Sequence, residues 1–176
     1  MRTLAIGDIH GCLTALTRLL CEVDPEPEDR LVFLGDYIDR GPNSRGVVDH
    51  LLGLARTCNT VFLRGNHEVM ILDARDESLK SNLWQNYGGL EAVASYGCTL
   101  GQDWVSAVAA PHWSFFEQTR AFLRRINVSL SMHASTLGWT WPTSRTGCSF
   151  GRCSITSNRI SQASASFAAT PGRVQD

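Results

Sequence analysis

The sequence lacks several features that would assign it to a common class of protein. The chain has 176 residues and a formal net charge of −1, so its overall charge predicts neither nucleic acid nor an anionic membrane as a partner. No apolar run is long enough to span a bilayer, and the acid Asp8 comes too early for a signal peptide. Six cysteines are present, but none forms a CxxC pair. We therefore expect a cytoplasmic globular protein without a zinc ribbon.

The C-terminal part of the chain is poor in acids and histidines. All acidic residues except Asp176 lie before residue 118, and no histidine follows His133. Serine and threonine dominate this part, and it shows no helical or alternating apolar pattern at its end. We expect a folded core over residues 1–127 and an atypical Ser/Thr-rich tail over 128–176. This tail would be disordered or the product of a reading frame that slips near residues 127–135.

The N-terminal part has what a folded core requires. Hydrophobic residues make up 43% of the chain and charged residues 19%. Three short apolar runs, at residues 4–6, 31–34 and 61–63, are typical of buried strands. Leucines and valines at helical spacing predict helices between them, over roughly residues 12–23 and 44–56. Two strand–helix–strand units predict an α/β fold with a parallel sheet.

The elements that follow are less regular. We expect a helix over residues 68–75 and an irregular helical region over 79–108, which would either wall a substrate groove or pack in the core. A helix is expected over 112–125, after Pro111. Alternating apolar residues from position 128 predict a further strand that ends at His133.

Each of the first three strands is followed by polar residues of one chemical kind. Because the carboxyl ends of parallel strands meet at one edge of a sheet, these residues are expected to form one pocket. They are Asp8 and His10 after the first strand, Asp36, Asp39 and Arg40 after the second, and Arg64, Asn66 and His67 after the third.

Carboxylate, imidazole and amide ligands together predict a metal site. Asp8 and His10 can point at one ion, Asp36 can bridge it to a second ion, and Asn66 offers an amide oxygen to the second. This mixed set suits manganese, iron or zinc. Two divalent ions about 3.5–4 Å apart can clamp a phosphoryl group and make water nucleophilic near neutral pH.

The remaining polar residues suit phosphate chemistry. The guanidinium groups of Arg40 and Arg64 match phosphate oxygens. His67 could protonate a leaving oxygen, with Asp39 holding its imidazole in orientation. Simpler alternatives stay open for each residue: Asp39 could pair with Arg40, His67 could be an ordinary helix residue, and Arg64 could be a surface charge.

The same residues carry a family resemblance. Gly-Asp-Ile-His-Gly at 7–11, Gly-Asp-Tyr-Ile-Asp-Arg-Gly at 35–41 and Arg-Gly-Asn-His-Glu at 64–68 resemble the signature motifs of metallophosphatases of the serine/threonine protein phosphatase (PPP) family. The spacing resembles that of the small bacterial and phage members. The resemblance implies a calcineurin-like metallophosphoesterase αββα sandwich, here incomplete at the C-terminus.

The resemblance also implies the roles of the site residues. It assigns Asp8, His10 and Asp36 to the first metal, and Asp36 and Asn66 to the second. It makes His67 the general acid, Asp39 its partner, and Arg40 and Arg64 phosphate ligands. The family supplies two further histidines to the second metal, and this chain offers only His133 as a candidate for one of them.

The leading functional hypothesis is a metal-dependent phosphatase for phosphoserine or phosphothreonine in proteins, with manganese as the expected metal. Its partners would be phosphorylated proteins or small phosphoesters, not nucleic acid or membrane. The alternative is a symmetrical diadenosine tetraphosphatase; members of that group resemble this chain but tend to have glutamine at the position of His10 and aspartate at that of Glu68. A third possibility is a truncated, inactive phosphatase domain.

Overall fold

The computed structural model of the protein describes residues 1–99, 102–125 and 128–130. Helices and strands alternate in the N-terminal half, and short helices dominate the part that follows. The strands are β1 (Thr3–Ile6), β2 (Arg30–Phe33), β3 (Asn59–Phe62), β4 (Leu123–Arg125) and β5 (Val128–Leu130). The helices are α1 (Leu13–Val23), α2 (Ser44–Leu54), α3 (Asn66–Asp76), α4 (Ser78–Trp84), a π-helical turn (Gln85–Gly89), α5 (Leu90–Ser95), α6 (Trp104–Ala107) and α7 (Ala110–Gln118).

The three predicted strands form one parallel sheet in the order β1–β2–β3. Leu4 pairs with Leu31, and Val32 pairs with Val61. This register aligns the carboxyl ends of the three strands, as the βαβ pattern predicted. The predicted strand after residue 128 is present as β5, which pairs antiparallel with β4.

Both faces of strand β2 are buried, and its side chains enter two separate apolar clusters. Leu31 and Phe33 belong to the main core, together with Leu16 of α1 and Leu51 of α2. The alternate residues of β2 and β3 enter a second cluster, formed by Val32, Leu34, Val61 and Leu63 with Leu123 packed against it. Burial on two faces explains why β2 is a continuous apolar run rather than an alternating one.

Helix α2 begins where its capping residues predicted. The side-chain oxygen of Asn43 accepts a hydrogen bond from the backbone N–H of Gly46 at 2.9 Å, which satisfies one of the free amides of the first turn. Buried Val47 and Val48 then face the core. The cap fixes the point at which the loop after β2 becomes helix.

The helix predicted over residues 112–125 is shorter and earlier than expected. Helix α7 ends at Gln118, because Thr119 takes an extended conformation with ψ of 142°. The N–H of Arg120 then donates to the carbonyl of Phe62 at 2.9 Å, and Arg120 forms a parallel bridge with Leu63. Pairing with the end of β3 replaces the helical bonds that apolar periodicity had predicted.

The irregular region expected over 79–108 contains short helices and the π-helical turn. Gly88, with φ of +106°, breaks the helical geometry inside that turn. Trp84 is 1% exposed and its ring lies 4.8 Å from that of Trp104, so these aromatic residues pack in the core. Tyr87, by contrast, is 61% exposed.

Two expectations about the C-terminal part fall outside the described residues. His133 lies there, as does the proposed tail apart from strand β5. Within the described part of the chain, no helix combines the length and the apolar character needed to cross a membrane.

Candidate active site

The loops that follow β1 and β2 are joined by backbone hydrogen bonds. The N–H groups of Ile9 and His10 both donate to the carbonyl of Asp36, at 3.0 and 2.9 Å, and that of Gly11 donates to the carbonyl of Tyr37 at 2.8 Å. These bonds hold the first two polar loops together without using their side chains.

Three of the predicted residues, His10, Asp36 and His67, converge at the carboxyl edge of the sheet. Each is buried, and each offers a ligand atom within 4.8 Å of the other two. The Nε2 atom of His10 lies 3.9 Å from Oδ2 of Asp36. The other carboxylate oxygen, Oδ1, accepts a hydrogen bond from the backbone N–H of His67 at 3.2 Å. One carboxylate thus contacts residues from two different loops.

The hydrogen bonds of His10 and His67 define which ring nitrogens carry a proton. Nδ1 of His10 lies 3.0 Å from the carbonyl oxygen of Ile38 and must donate to it. The guanidinium group of Arg40 donates to Nε2 of His10 at 2.9 Å and to Nε2 of His67 at 3.1 Å. In both imidazoles, therefore, Nε2 is the unprotonated nitrogen that faces the site.

His67 is oriented by a buried carboxylate. Its Nδ1 donates to Oδ2 of Asp39 at 2.6 Å. The same oxygen accepts a second hydrogen bond from the indole N–H of Trp84 at 2.7 Å. Asp39 is fully buried, and its other oxygen, Oδ1, has no hydrogen-bond partner in the described part of the chain.

Burial disfavours the charged forms of His10, Asp36, Asp39 and His67. It lowers the pKa of His10 and of His67 to about 4, with further lowering by neighbouring positive charge. Burial raises the pKa of Asp36 to about 7, and the charge of Glu68 adds to this rise. The pKa of Asp39 is raised by burial to about 8, and the hydrogen bond from Trp84 opposes that rise. A bound cation would offset the cost of ionising Asp36 in this environment.

The other predicted residues are placed around this centre in different ways. Asp8 lies close enough for its charge to raise the pKa values of His10 and His67. Asn66 is exposed and is the first residue of α3. The guanidinium group of Arg64 is bonded to the end of α7, through Thr119 Oγ1 at 2.8 Å and the carbonyl of Glu117 at 2.6 Å.

The backbone of the site is strained. Five non-glycine residues among those described have positive φ, and four of them belong to the site: His10 (45°), Asp36 (53°), Asp39 (72°) and Arg40 (63°). Such conformations cost roughly 1–3 kcal/mol each and tend to cluster at functional sites. Neither motif spacing nor apolar periodicity gives a signal for them.

Sequence reasoning also missed the structural role of Glu68. This residue is fully buried, and its carboxylate accepts hydrogen bonds from the backbone N–H groups of Asp36 (2.8 Å), Tyr37 (2.9 Å) and Gly65 (2.9 Å). It therefore joins the loops after β2 and β3. A glutamate at the third position of a helix is a capping signal, and this signal predicts the bond to the N-cap residue Gly65 alone.

Comparison with known proteins shows the family of the chain. The calcineurin-like phosphoesterase family matches residues 1–139. The chain belongs to that family, and its fold is the metallophosphoesterase fold, with mixed α/β structure around a parallel sheet.

Relatives of two kinds resemble the chain. It is 42% identical over 109 residues to serine/threonine-protein phosphatase 1 of Salmonella typhimurium, covering 61% of this chain and 42% of that protein. It is 40% identical over 73 residues to the symmetrical bis(5'-nucleosyl)-tetraphosphatase of a Janthinobacterium species, covering 41% of this chain and 26% of that protein. A crystal structure of a candidate diadenosine tetraphosphatase aligns with a TM-score of 0.52 and 26% identity, over 74% of this chain and 49% of that one. The chain thus spans less than half the length of these relatives.

Proposed function

We propose that the protein is a metal-dependent phosphoester hydrolase that acts on phosphoserine or phosphothreonine in proteins. The observation that carries the proposal is the hydrogen bond from His67 Nδ1 to the buried carboxylate of Asp39, beside the pair formed by His10 and Asp36. An oriented imidazole next to oxygen and nitrogen metal ligands is what metal-assisted phosphoester hydrolysis requires.

The residues present fit divalent metal ions. Nε2 of His10 and the carboxylate of Asp36 are a nitrogen and an oxygen donor in one buried cluster. We propose Asp8, His10 and Asp36 as ligands of a first ion, Asp36 and Asn66 as ligands of a second, and His133 as a further candidate for the second. Such mixed donors suit manganese, iron or zinc rather than thiolate-bound metals, and manganese is our proposal. Bound there, the ions would supply Lewis-acid chemistry at the phosphoryl group.

We propose that the side chain of His67 moves one proton. Its Nδ1 proton is held by Asp39 and its Nε2 is unprotonated, so Nε2 is the nitrogen that can take a proton from water and give it to the leaving oxygen. The carboxylate of Asp39 favours the imidazolium that gives this proton. The position of His67 at the first turn of α3 is fixed by the bond from its N–H to Asp36.

We propose that Arg40 binds the phosphate group. Its two terminal nitrogens already point to the pair of imidazoles, at 2.9 and 3.1 Å. A guanidinium group has a fork geometry that matches two phosphate oxygens, so a phosphate at this position can replace the two imidazole contacts. Arg64 would become a second phosphate ligand only by exchanging its bonds to the end of α7.

The match to the Salmonella phosphatase supports phosphoproteins as the substrate class. That relative covers 61% of this chain, whereas the tetraphosphatase match covers 41% at similar identity. The second candidate is hydrolysis of dinucleoside polyphosphates, which the tetraphosphatase relative and the aligned crystal structure favour. We propose the cytoplasm as the location for either activity.

A comparison of the two substrates distinguishes the two candidate functions. The full chain, loaded with Mn²⁺, is assayed with a phosphoserine peptide and with diadenosine tetraphosphate at equal concentration, and kcat/KM is compared. We expect a higher value for the phosphopeptide. A higher value for the dinucleotide would replace our proposal with the second candidate.

A third assay tests for a truncated, inactive domain. We expect Mn²⁺-dependent hydrolysis of p-nitrophenyl phosphate by the chain and its loss in Asp36→Asn, which removes the proposed bridging ligand. If the chain shows no metal-dependent turnover of any of these substrates above that of Asp36→Asn, it is an inactive relative and the proposed function is wrong.

A further inference from the structure

A helical segment outside the three motif loops contacts the adjacent residues Asp39 and Arg40. Trp84 is the last residue of α4, and Gly88 lies in the π-helical turn that follows. Trp84 contacts Asp39 across 45 positions of the sequence. Single π-helical turns inside helices are frequent at functional sites.

Trp84 fixes the orientation of the Asp39 carboxylate. Its indole N–H and Nδ1 of His67 donate to the same oxygen, Oδ2, at 2.7 and 2.6 Å. The indole is 1% exposed and packs against Trp104 with ring centroids 4.8 Å apart, so it cannot follow a carboxylate that rotates. A rotation of Asp39 would therefore cost the hydrogen bond from Trp84 as well as that from His67.

Gly88 fixes the backbone of Arg40. Its carbonyl accepts a hydrogen bond from the N–H of Arg40 at 2.9 Å. A Cβ atom on Gly88 would lie 2.7 Å from Cγ and 2.8 Å from the backbone nitrogen of Arg40, closer than real Cβ contacts. Asp39 and Arg40 both have positive φ, 72° and 63°, and this bond from outside the loop supports that unfavourable conformation.

We infer that Trp84 and Gly88 are positioning residues for this site. Trp84 orients the imidazole of His67 through its hydrogen bond to Asp39. Gly88 orients the guanidinium group of Arg40 through the backbone of that residue. The inference rests on the proposed function, since it gives His67 and Arg40 their roles as proton donor and phosphate ligand. A proton donor loses its effect when its orientation is lost, because transfer requires hydrogen-bond reach to the leaving oxygen.

Trp84→Phe tests the first half of the inference, with Trp104→Phe as the matched control. Both changes remove the same atoms from one aromatic cluster, but only the first removes the N–H that contacts Asp39. With Mn²⁺ present, we expect Trp84→Phe to lower kcat for phenyl phosphate roughly tenfold more than kcat for p-nitrophenyl phosphate, with KM unchanged. The reason is that p-nitrophenolate leaves without a proton. Equal losses for both substrates, as expected of Trp104→Phe, would overturn this half.

Gly88→Ala tests the second half, with Gly97→Ala as the matched control. Both glycines have positive φ, 106° and 82°, but a Cβ on Gly97 meets nothing within 4 Å. We expect Gly88→Ala to raise KM and the inhibition constant for inorganic phosphate about tenfold, because loss of the Arg40 fork removes charge-assisted hydrogen bonds. Gly97→Ala should lower thermal stability and leave both constants unchanged. Similar constants in the two variants would overturn this half.

A spectroscopic measurement separates failure of this inference from failure of the proposed function. The proton on Nδ1 of His67, in its short bond to Asp39, should give a downfield imidazole signal in proton NMR spectra of the wild-type chain and of Trp104→Phe. The signal should shift in Trp84→Phe and also when the Trp84 indole is replaced by the benzothiophene of the same shape, which leaves no gap in the core. An unshifted signal in both would overturn the half of the inference that concerns Trp84, even if the chain hydrolyses nothing.

Discussion

The imidazole rings of His10 and His67 lie edge to face, with centroids 4.7 Å apart and planes at 81°. One guanidinium group, that of Arg40, donates to Nε2 of both rings. The Nδ1 atoms of the two rings have different partners. Nδ1 of His10 donates to a backbone carbonyl, and Nδ1 of His67 donates to a carboxylate. This difference separates a proposed metal ligand from a proposed proton donor.

Asp36→Asn should remove metal from the site. The substitution keeps the shape of the side chain but takes away the charge that would hold both proposed ions. We expect Mn²⁺ affinity to fall by more than about 100-fold, the upper range for groups that only orient ligands. Elemental analysis after dialysis measures the metal content, with the exposed Asp73→Asn as control. Full metal occupancy in Asp36→Asn would refute the bridging role.

The His67→Asn variant should retain its metal and have a lower kcat. Loss of a positioned proton donor costs roughly 10²–10⁴ in kcat, and the loss should be smaller for p-nitrophenyl phosphate than for a phosphoserine peptide. Because His67 also lies within 4.8 Å of the other ligand atoms, metal content distinguishes the two roles. A variant that has lost its metal would show His67 to be a ligand.

Arg40 should contribute to phosphate binding, whereas Arg64 should contribute to the stability of the fold. Arg40→Lys loses the fork on the two imidazoles, and we expect about a tenfold rise in the inhibition constant for inorganic phosphate. Arg64→Lys breaks the bonds to the end of α7 and should instead destabilise the fold by about 1 kcal/mol. Phosphate inhibition and thermal unfolding of the two variants make the comparison. A reversed pattern would place the phosphate at Arg64.

Asp29 should make stability depend on pH in the acid range. Its buried carboxylate accepts hydrogen bonds from the backbone N–H and Nε of Arg2 at 2.7 and 2.8 Å, and Arg2 holds the pKa of Asp29 well below its ordinary value of 3.8. A depressed folded-state pKa gives stability that is present above the unfolded value and lost as pH falls toward the folded one. Asp29→Asn should therefore lower Tm at pH 7, and this difference should shrink below pH 4. The exposed Asp76→Asn should show no such trend.

The composition of the C-terminal part leads to a prediction about the gene. If the reading frame slips near residues 127–135, an adjacent frame should encode an acidic continuation with a Gly-His element. The family match ends at residue 139, just beyond that window. Sequencing the gene from an independent isolate decides this, and an adjacent frame without such a continuation would reject the slip.

The sequence predicted those parts of the fold whose signals are local. Strand β2 is apolar on both faces and bounded by glycine, and the cap at Asn43 marks the start of α2, so both were found. The end of α7 was placed wrongly because the bond from Arg120 to Phe62 joins positions far apart in the chain. Apolar periodicity carries no information about such a partner.

The same reason limits what could be predicted about the site. The motifs gathered the residues of the three loops, because each follows a strand in a parallel sheet. Trp84 and Glu68 contact the loop after β2 from up to 45 and 32 positions away, and their residue types alone give no hint of that partner. A buried tryptophan is typically a core residue, and Trp84 is that as well.

The positive φ angles of His10, Asp36, Asp39 and Arg40 have a consequence for protein engineering. Glycine at any of these positions would relieve backbone strain of roughly 1–3 kcal/mol while removing a side chain of the site. Selection of variants for heat resistance alone would thus favour changes that empty the pocket. These four positions should be kept unchanged when the chain is engineered for stability. At each of them, a substitution that raises thermal stability would lower activity.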